Sequence, residues 1–74
     1  LYVTIPVGVN EELTPNSHDG QEFDYVLSGD MRIVIGKNDL VLHPGDSVYY
    51  DSHTPHAMQA VGDKPVQFLA MVIP

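Results

Sequence analysis

The 74-residue sequence contains no cysteine, so neither disulfide bonds nor thiolate metal sites are available to it. It has three basic side chains against ten acidic ones, and the basic residues Arg32, Lys37 and Lys64 stand singly. Because binding to nucleic acid or to an anionic membrane surface needs clustered lysine and arginine, this composition excludes both. No apolar run approaches the ~20 residues of a membrane span, and no signal-peptide pattern is present, so the expected location is cytoplasmic.

The length allows one domain with one core, covering residues 1–74. A core this small, without disulfide bonds, usually gains stability from a metal, a partner subunit or a neighbouring domain. The chain starts at Leu1, inside what the pattern predicts to be a strand. We therefore expect it to be a fragment or the C-terminal domain of a longer protein.

Six prolines and six glycines divide the sequence into short runs, and no window has a helical apolar period. Such spacing predicts an all-β fold, a small antiparallel barrel or jelly roll of about seven or eight strands with no substantial helix. Gly29-Asp30 predicts a tight hairpin, and Pro6 marks an edge or a bend. The predicted strands cover 1–9, 22–28, 31–35, 40–43, 48–51, 56–61 and 66–73, with a loop over 10–19.

The strand over 22–28 carries apolar groups on both faces. Alternation places Glu22, Asp24 and Val26 on one side, and Phe23 and Tyr25 on the other. A strand of this kind is covered on both sides, by the interior and by a second chain or domain. We therefore expect a homodimer.

The segment from His18 to His56 resembles the cupin superfamily. His18, three residues, Glu22, six residues and Gly29 match the latter half of its first motif, and Gly45 followed eleven positions later by His56 matches the second. Asn16 stands where the first motif has another histidine. Within the superfamily, the phrase "YYDSHTPHAM" is most similar to C-terminal sensor domains of XRE-type helix-turn-helix transcription regulators.

The resemblance implies a metal site formed by His18, Glu22 and His56. Two imidazoles and one carboxylate suit a divalent transition metal such as Zn, Fe, Ni or Mn, and leave positions open for a ligand. The alternative is that the same cluster is kept without metal and binds water and an organic molecule. Asn16 would be a weak fourth ligand through its amide oxygen.

Further ligand-binding candidates are Asn16, Asp24, Tyr49 and Met58. Asp24 lies on the same face as Glu22, so two carboxyls would share one pocket unless the strand bends. Tyr49 and Tyr50 alternate, so that one of them faces the interior. Met58, on the same side as His56, would add an apolar wall, although a methionine there is more often plain core.

Three functions are compatible with these residues. The resemblance implies an effector-sensing, dimerising regulator domain that binds a small molecule and reaches DNA only through a separate N-terminal domain. The second is a small metal-dependent enzyme of the dioxygenase or isomerase type. The third is a structural β-domain with a vestigial pocket. The fold by itself does not decide between them.

Overall fold

A computed structural model describes residues 1–13 and 20–74, with side chains described for 1–9 and 20–74. These residues form strands and turns and contain no helix. None of them belongs to a helix that could cross a membrane. The strands are β1 (Tyr2–Ile5), β2 (Asn10–Leu13), β3 (Gln21–Ser28), β4 (Asp30–Ile35), β5 (Asn38–Leu42), β6 (Ser47–Asp51), β7 (His56–Val61) and β8 (Val66–Ile73).

The strands form two four-stranded antiparallel sheets. Sheet A has the order β1-β8-β3-β6, and sheet B has the order β2-β7-β4-β5. No pairing between described strands joins the two sheets into a closed barrel. The predicted all-β jelly roll is thus confirmed. Buried side chains from both sheets build one core: Ile5, Val26, Tyr50, Val66 and Phe68 from sheet A, and Met31, Ile33, Ile35, Leu42 and Met58 from sheet B.

Alternation along β3 and β7 directs polar side chains into this core. Glu22, Asp24 and Val26 are buried on β3, and His56 and Met58 are buried on β7. The face predicted from period two is confirmed for both strands. The interior of the molecule therefore carries two carboxyls and an imidazole among aliphatic neighbours.

The first 13 residues contain two strands where the sequence predicted one. β1 ends at Ile5, before Pro6, because proline cannot donate a ladder hydrogen bond. β2 then lies within 10–19, where a loop was predicted, and it pairs with β7 from Asn10↔Gln59 to Leu13↔His56. Backbone pairing at a sheet edge stabilises a strand whose polar composition gives little signal of one.

Gly29 connects the two sheets, and the predicted hairpin at Gly29-Asp30 is wrong. β3 pairs with β6 and β8 in sheet A, whereas β4 pairs with β5 and β7 in sheet B. Gly29 has a φ of 74°, and a Cβ atom there would lie 2.2 Å from the Pro65 carbonyl oxygen. Only glycine fits at this crossing between the sheets. Gly29-Asp30 therefore does form a turn, but the strand that follows the turn pairs in sheet B and not with β3.

Candidate functional site

A cavity of about 790 Å³ opens between the two sheets. Its size falls within the ~300–1,000 Å³ typical of small-molecule sites. Most of the described lining residues belong to β1 and β8, together with Leu1 beside β1, and Met58 is the described residue that sheet B contributes. These apolar lining residues include Val3, Ile5, Phe68, Ala70 and Val72 from sheet A and Met58 from sheet B.

Glu22 places a carboxylate in the lining of this apolar cavity. It lies on β3 opposite Val72 of β8 and Tyr50 of β6, in the middle of sheet A. Asp24 follows two residues later on the same face and is fully buried behind it. The two carboxyls predicted to share the interior are therefore brought together.

Tyr50 links these carboxyls to sheet B. Its hydroxyl lies 2.6 Å from Oε2 of Glu22 and 3.1 Å from Oδ2 of Asp24. Its ring contacts the His56 ring edge-on, with centroids 4.9 Å apart. Glu22, Asp24, Tyr50 and His56 form one buried group, which we call the polar cluster.

The pKa of the Asp24 carboxyl is raised to about 8, most of all by burial and then by the hydrogen bond and the charge of the neighbouring Glu22. The Tyr50 hydroxyl opposes this rise. Burial and the two carboxyls also raise the pKa of Tyr50, so its hydroxyl keeps its proton at neutral pH. That single proton is donated to Glu22 across the shorter contact, while a protonated Asp24 can donate to the tyrosine oxygen.

His56 is oriented by its own loop. Its Nδ1 lies 2.8 Å from the Thr54 carbonyl oxygen, which can only accept, so Nδ1 carries the proton. Nε2 is then left with a lone pair, and it is buried with no hydrogen-bond partner among the described residues. An imidazole held in this way, through a backbone carbonyl, presents Nε2 as histidine metal ligands do.

The metal site implied by the sequence is only partly covered by the structure. His18 and Asn16 lie outside the described residues, whereas Glu22 and His56 are both buried near Tyr50. Within the described residues, no group of three or more histidine, aspartate or glutamate side chains is arranged to hold a metal ion. The buried, partnerless Nε2 of His56 fits a metal ligand, and so does the Glu22 carboxylate.

Tyr50, not Tyr49, occupies the inward position. Tyr49 is 55% exposed on the outer face of sheet A, where its hydroxyl donates to the Gln21 side chain. Neighbouring residues of β6 point to opposite faces of the sheet, so Tyr49 does not belong to the candidate site. Met58 is buried and lines the cavity, the position expected of an apolar wall.

Sequence reasoning missed most of the cavity wall. Val3, Ile5, Ala70 and Val72 were not among the candidates. The signal was present, because Phe68, Ala70 and Val72 share one parity along β8. The sequence pattern does not show that β1 pairs with β8. This pairing places Val3 opposite Phe68 and so brings β1 into the cavity wall.

Comparison with known proteins identifies the family. The Cupin_2 family, described as a cupin domain, matches residues 1–72. The chain belongs to the cupin domain family. No curated protein sequence matches it.

Solved structures with the same fold include regulator domains. The cupin domain of an XRE family transcriptional regulator from Enterobacter cloacae is 25% identical, with a TM-score of 0.92, and the match covers 99% of this cupin and 77% of that chain. An HTH_3 family transcriptional regulator from Vibrio cholerae is 22% identical, with a TM-score of 0.88, and the match covers 99% of this cupin and 40% of that chain.

A third similar structure is described as a predicted oxalate decarboxylase from Thermotoga maritima. It is 23% identical, with a TM-score of 0.82, and the match covers 97% of this cupin and 62% of that chain. The Vibrio and Thermotoga structures, at these identities, show the fold alone. This cupin spans less than two thirds of either chain.

Proposed function

We propose that this cupin is the effector-binding domain of a bacterial transcription regulator, located in the cytoplasm. The observation that carries the proposal is the cavity of about 790 Å³, apolar along β1 and β8 and bounded by the Glu22 carboxylate. Similarity to the XRE family regulator domain supports the same function. DNA contact belongs to a separate N-terminal domain, because the chain carries ten acidic and three basic residues.

The test of this function uses a variant that fills the cavity. Ala70 lines it, so Ala70→Phe places a ring in the ligand volume. Ala57→Phe is the matched control, since Ala57 lies on β7 next to the inward His56 and Met58 but points the other way. The protein is mixed with a bacterial metabolite extract, washed and denatured, and released small molecules are measured by mass spectrometry.

We expect the wild type and Ala57→Phe to release the same molecule, and Ala70→Phe to release none. Equal release from all three proteins would contradict binding in this cavity. In a full-length regulator, the molecule should change DNA affinity by roughly 5–150-fold, the usual range of allosteric coupling. Unchanged DNA affinity in the presence of a bound molecule would contradict the regulatory function.

The proposed metal site consists of Glu22, His56 and His18. Two buried groups support it: the Glu22 carboxylate and the Nε2 atom of His56, which finds no hydrogen-bond partner among residues 1–9 and 20–74. A divalent ion there would act as a Lewis acid toward an oxygen atom of a bound molecule. Within this proposal, Tyr50 orients the Glu22 carboxylate through its hydroxyl, and the Thr54 carbonyl orients the imidazole.

The proposed homodimer uses the outer face of sheet A. Two adjacent cross-strand rows lie there, Tyr2–Leu69–Tyr25 and Met71–Phe23–Tyr49, and none of their side chains is charged. We call these six residues the apolar face. A second copy is the occupant that fits, because two chains of net charge −7 approach best where neither presents charge.

An enzymatic function is the second candidate, and the buried Asp24–Glu22 carboxyl pair favours it. Carboxyls with displaced pKa values are common in acid–base catalysis. The predicted oxalate decarboxylase suggests the substrate to test, which is oxalate. Carbon dioxide release by the wild type but not by Glu22→Gln would establish an enzyme, and no release from oxalate by the wild type would exclude this activity.

A further inference from the structure

We propose that the effector is an elongated amphiphile, whose apolar tail lies along β8 toward the buried end of the cavity and whose polar end stays at the exposed end. This inference rests on the proposed ligand-binding function and names the class of molecule that the cavity takes. It follows from the shape of one side of the cavity and from the change in burial along that side.

One side of the cavity runs lengthwise along two paired strands. Val3 of β1 lies opposite Phe68 of β8, and the Leu1 backbone exchanges hydrogen bonds of 2.8 and 3.0 Å with that of Ala70. Val72 continues this side beyond the start of β1. We call it the β1–β8 wall, and it comprises Leu1, Val3, Ile5, Phe68, Ala70 and Val72.

The β1–β8 wall is longer than it is wide. From Phe68 to Val72 it extends over four residues of β8, which is about 14 Å at the rise of an antiparallel strand. Neighbouring strands lie only about 4.8 Å apart. An elongated molecule therefore covers this wall better than a compact one does.

The side chains of the β1–β8 wall favour hydrocarbon, because all of them are aliphatic or aromatic and carry no polar atom. A ligand in the cavity lies against them whatever else surrounds it, since they form one continuous side of the space. A hydroxyl or a charge placed against this wall loses hydrogen bonds to water that the wall does not replace. A hydrocarbon tail gains about fourfold in affinity for each methylene that leaves water.

Burial changes along the wall and sets the direction of the ligand. Ile5 and Phe68 are buried, whereas Leu1 and Val72, at the other end, are 85% and 57% exposed. The polar end of an amphiphile keeps its hydration at the exposed end, while the tail leaves water at the buried end. Glu22 pairs with Val72, so the proposed metal site is at the exposed end too. The tail therefore does not need the space beside Glu22.

Three primary alcohols with the same polar end test the tail: butanol, hexanol and octanol. Their affinities are measured by isothermal titration calorimetry, once with EDTA-treated protein and once with added Zn²⁺. We expect about a fourfold gain for each methylene up to octanol in both states, since only the tail differs among the three molecules. An affinity that stops rising between hexanol and octanol would contradict an elongated tail.

The diol 1,8-octanediol tests the buried end of the cavity. It has the length of octanol but a hydroxyl at both ends, so one hydroxyl must enter the buried end. We expect it to bind about tenfold or more weakly than octanol, because that hydroxyl is buried without a partner. Equal affinities of octanol and the diol would contradict an apolar tail.

Val3→Thr keeps the shape of the side chain and places a hydroxyl on the β1–β8 wall. The preference for octanol over the diol should fall from about tenfold to within about threefold, because the new hydroxyl can pair with that of the diol. Val41→Thr, the same change at an exposed strand position on sheet B, is the matched control and should leave the preference intact. An unchanged preference in Val3→Thr would mean that the tail does not lie on this wall. Circular dichroism melting verifies folding, and the wild-type series decides the tail even if Val3→Thr does not fold.

The metabolite-extract experiment with Ala70→Phe separates this inference from the function on which it rests. If the wild type releases a molecule that Ala70→Phe does not, and none of the alcohols binds, the cavity binds a ligand but the elongated tail is wrong. If neither the extract nor the alcohols supply a ligand, both the ligand class and the ligand-binding function are contradicted.

Discussion

Tyr50 is the residue on which the polar cluster depends. Its hydroxyl donates to Glu22 and can accept from a protonated Asp24, so it is the partner of both carboxyls in a site removed from water. Its ring also forms the contact between the carboxyls of sheet A and His56 of sheet B. The sequence predicted that one of two adjacent tyrosines faces inward, but the parity of β6 was needed to choose between them.

Removing that hydroxyl should destabilise the protein. Tyr50→Phe leaves the buried Glu22 carboxylate without its donor and Asp24 without its acceptor, and we expect the free energy of unfolding to fall by about 1–3 kcal/mol. Tyr49→Phe is the matched control, because Tyr49 is exposed, and its effect should stay within about 0.5 kcal/mol. Urea denaturation measures both. Equal effects of the two substitutions would show that the buried hydroxyl contributes no special stability.

His56 and His43 provide a matched pair for the proposed metal site. The Nε2 atom of His56 is buried and has no hydrogen-bond partner in the part of the chain that the structure describes, whereas His43 is exposed and lies 3.5 Å from Asp46. Removing a ligand from a site of three should lower Zn²⁺ affinity by at least about tenfold in His56→Ala, and His43→Ala should bind as the wild type does. Competition titration with a chromogenic chelator measures both. Unchanged affinity in His56→Ala would rule out this ligand set.

At the residue scale, much of the polar cluster could be predicted from the sequence. Glu22 and His56 were found through the motif resemblance, and alternation added Asp24. His18 and Asn16 remain predictions, since they lie outside the described residues. The wall residues Val3 and Ile5 could not be found, because no local pattern reports which strand becomes the neighbour of β8.

The structure differs from the sequence-based prediction more in which strands pair than in where the strands lie along the chain. Seven predicted strands correspond to strands of the structure, but β2 was missed, and β3 and β4 do not form the hairpin predicted at Gly29-Asp30. Turn residues report the local backbone angle and not the sheet to which the next strand belongs. The crossing at Gly29 is therefore the element that most directly sets the topology.

Replacing Gly29 with alanine should lower the free energy of unfolding far more than the same replacement at Gly62, another glycine of positive φ. Gly29→Ala brings Cβ to 2.2 Å from the Pro65 carbonyl oxygen, so the backbone between β7 and β8 must move. Gly62 has a φ of 85°, and no atom lies within 4 Å of its Cβ position. We expect Gly62→Ala to lower the free energy of unfolding by about 1–2 kcal/mol, because alanine is strained in the left-handed backbone region. Gly29→Ala should lower it by more, because the clash with Pro65 is added to that strain.

Thermal melting of the two variants measures this difference. A melting temperature for Gly29→Ala equal to that of Gly62→Ala would contradict the close approach between the sheet crossing and Pro65.

At the scale of the whole molecule, the two proposed functions use different faces. The space between the sheets holds the cavity and the polar cluster, and the outside of sheet A carries the apolar face. β3 contributes to both, with Glu22 and Asp24 inward and Phe23 and Tyr25 outward. One strand thus connects the proposed ligand site with the proposed dimer contact.

The dimer contact can be broken at Tyr25, which lies at the centre of the apolar face. Tyr25→Glu places a charge there and should convert the protein to a monomer at micromolar concentration. Val41→Glu adds the same charge at an exposed position on sheet B and should leave the dimer intact. Sedimentation velocity measures both species. A wild-type monomer, or a dimer that survives Tyr25→Glu, would contradict the use of this face.

Ligand binding between the sheets is the central claim, and the methyl groups of Met58 and Met31 report on it directly. Met58 lines the cavity wall, whereas Met31 is buried in the core away from the lining. In NMR spectra of ¹³C-methyl-methionine protein titrated with the apolar probe hexanol, we predict a saturable shift of the Met58 signal and little change at Met31. A Met58 signal that stays in place at saturation, or a Met31 signal that moves as much, would contradict the claim.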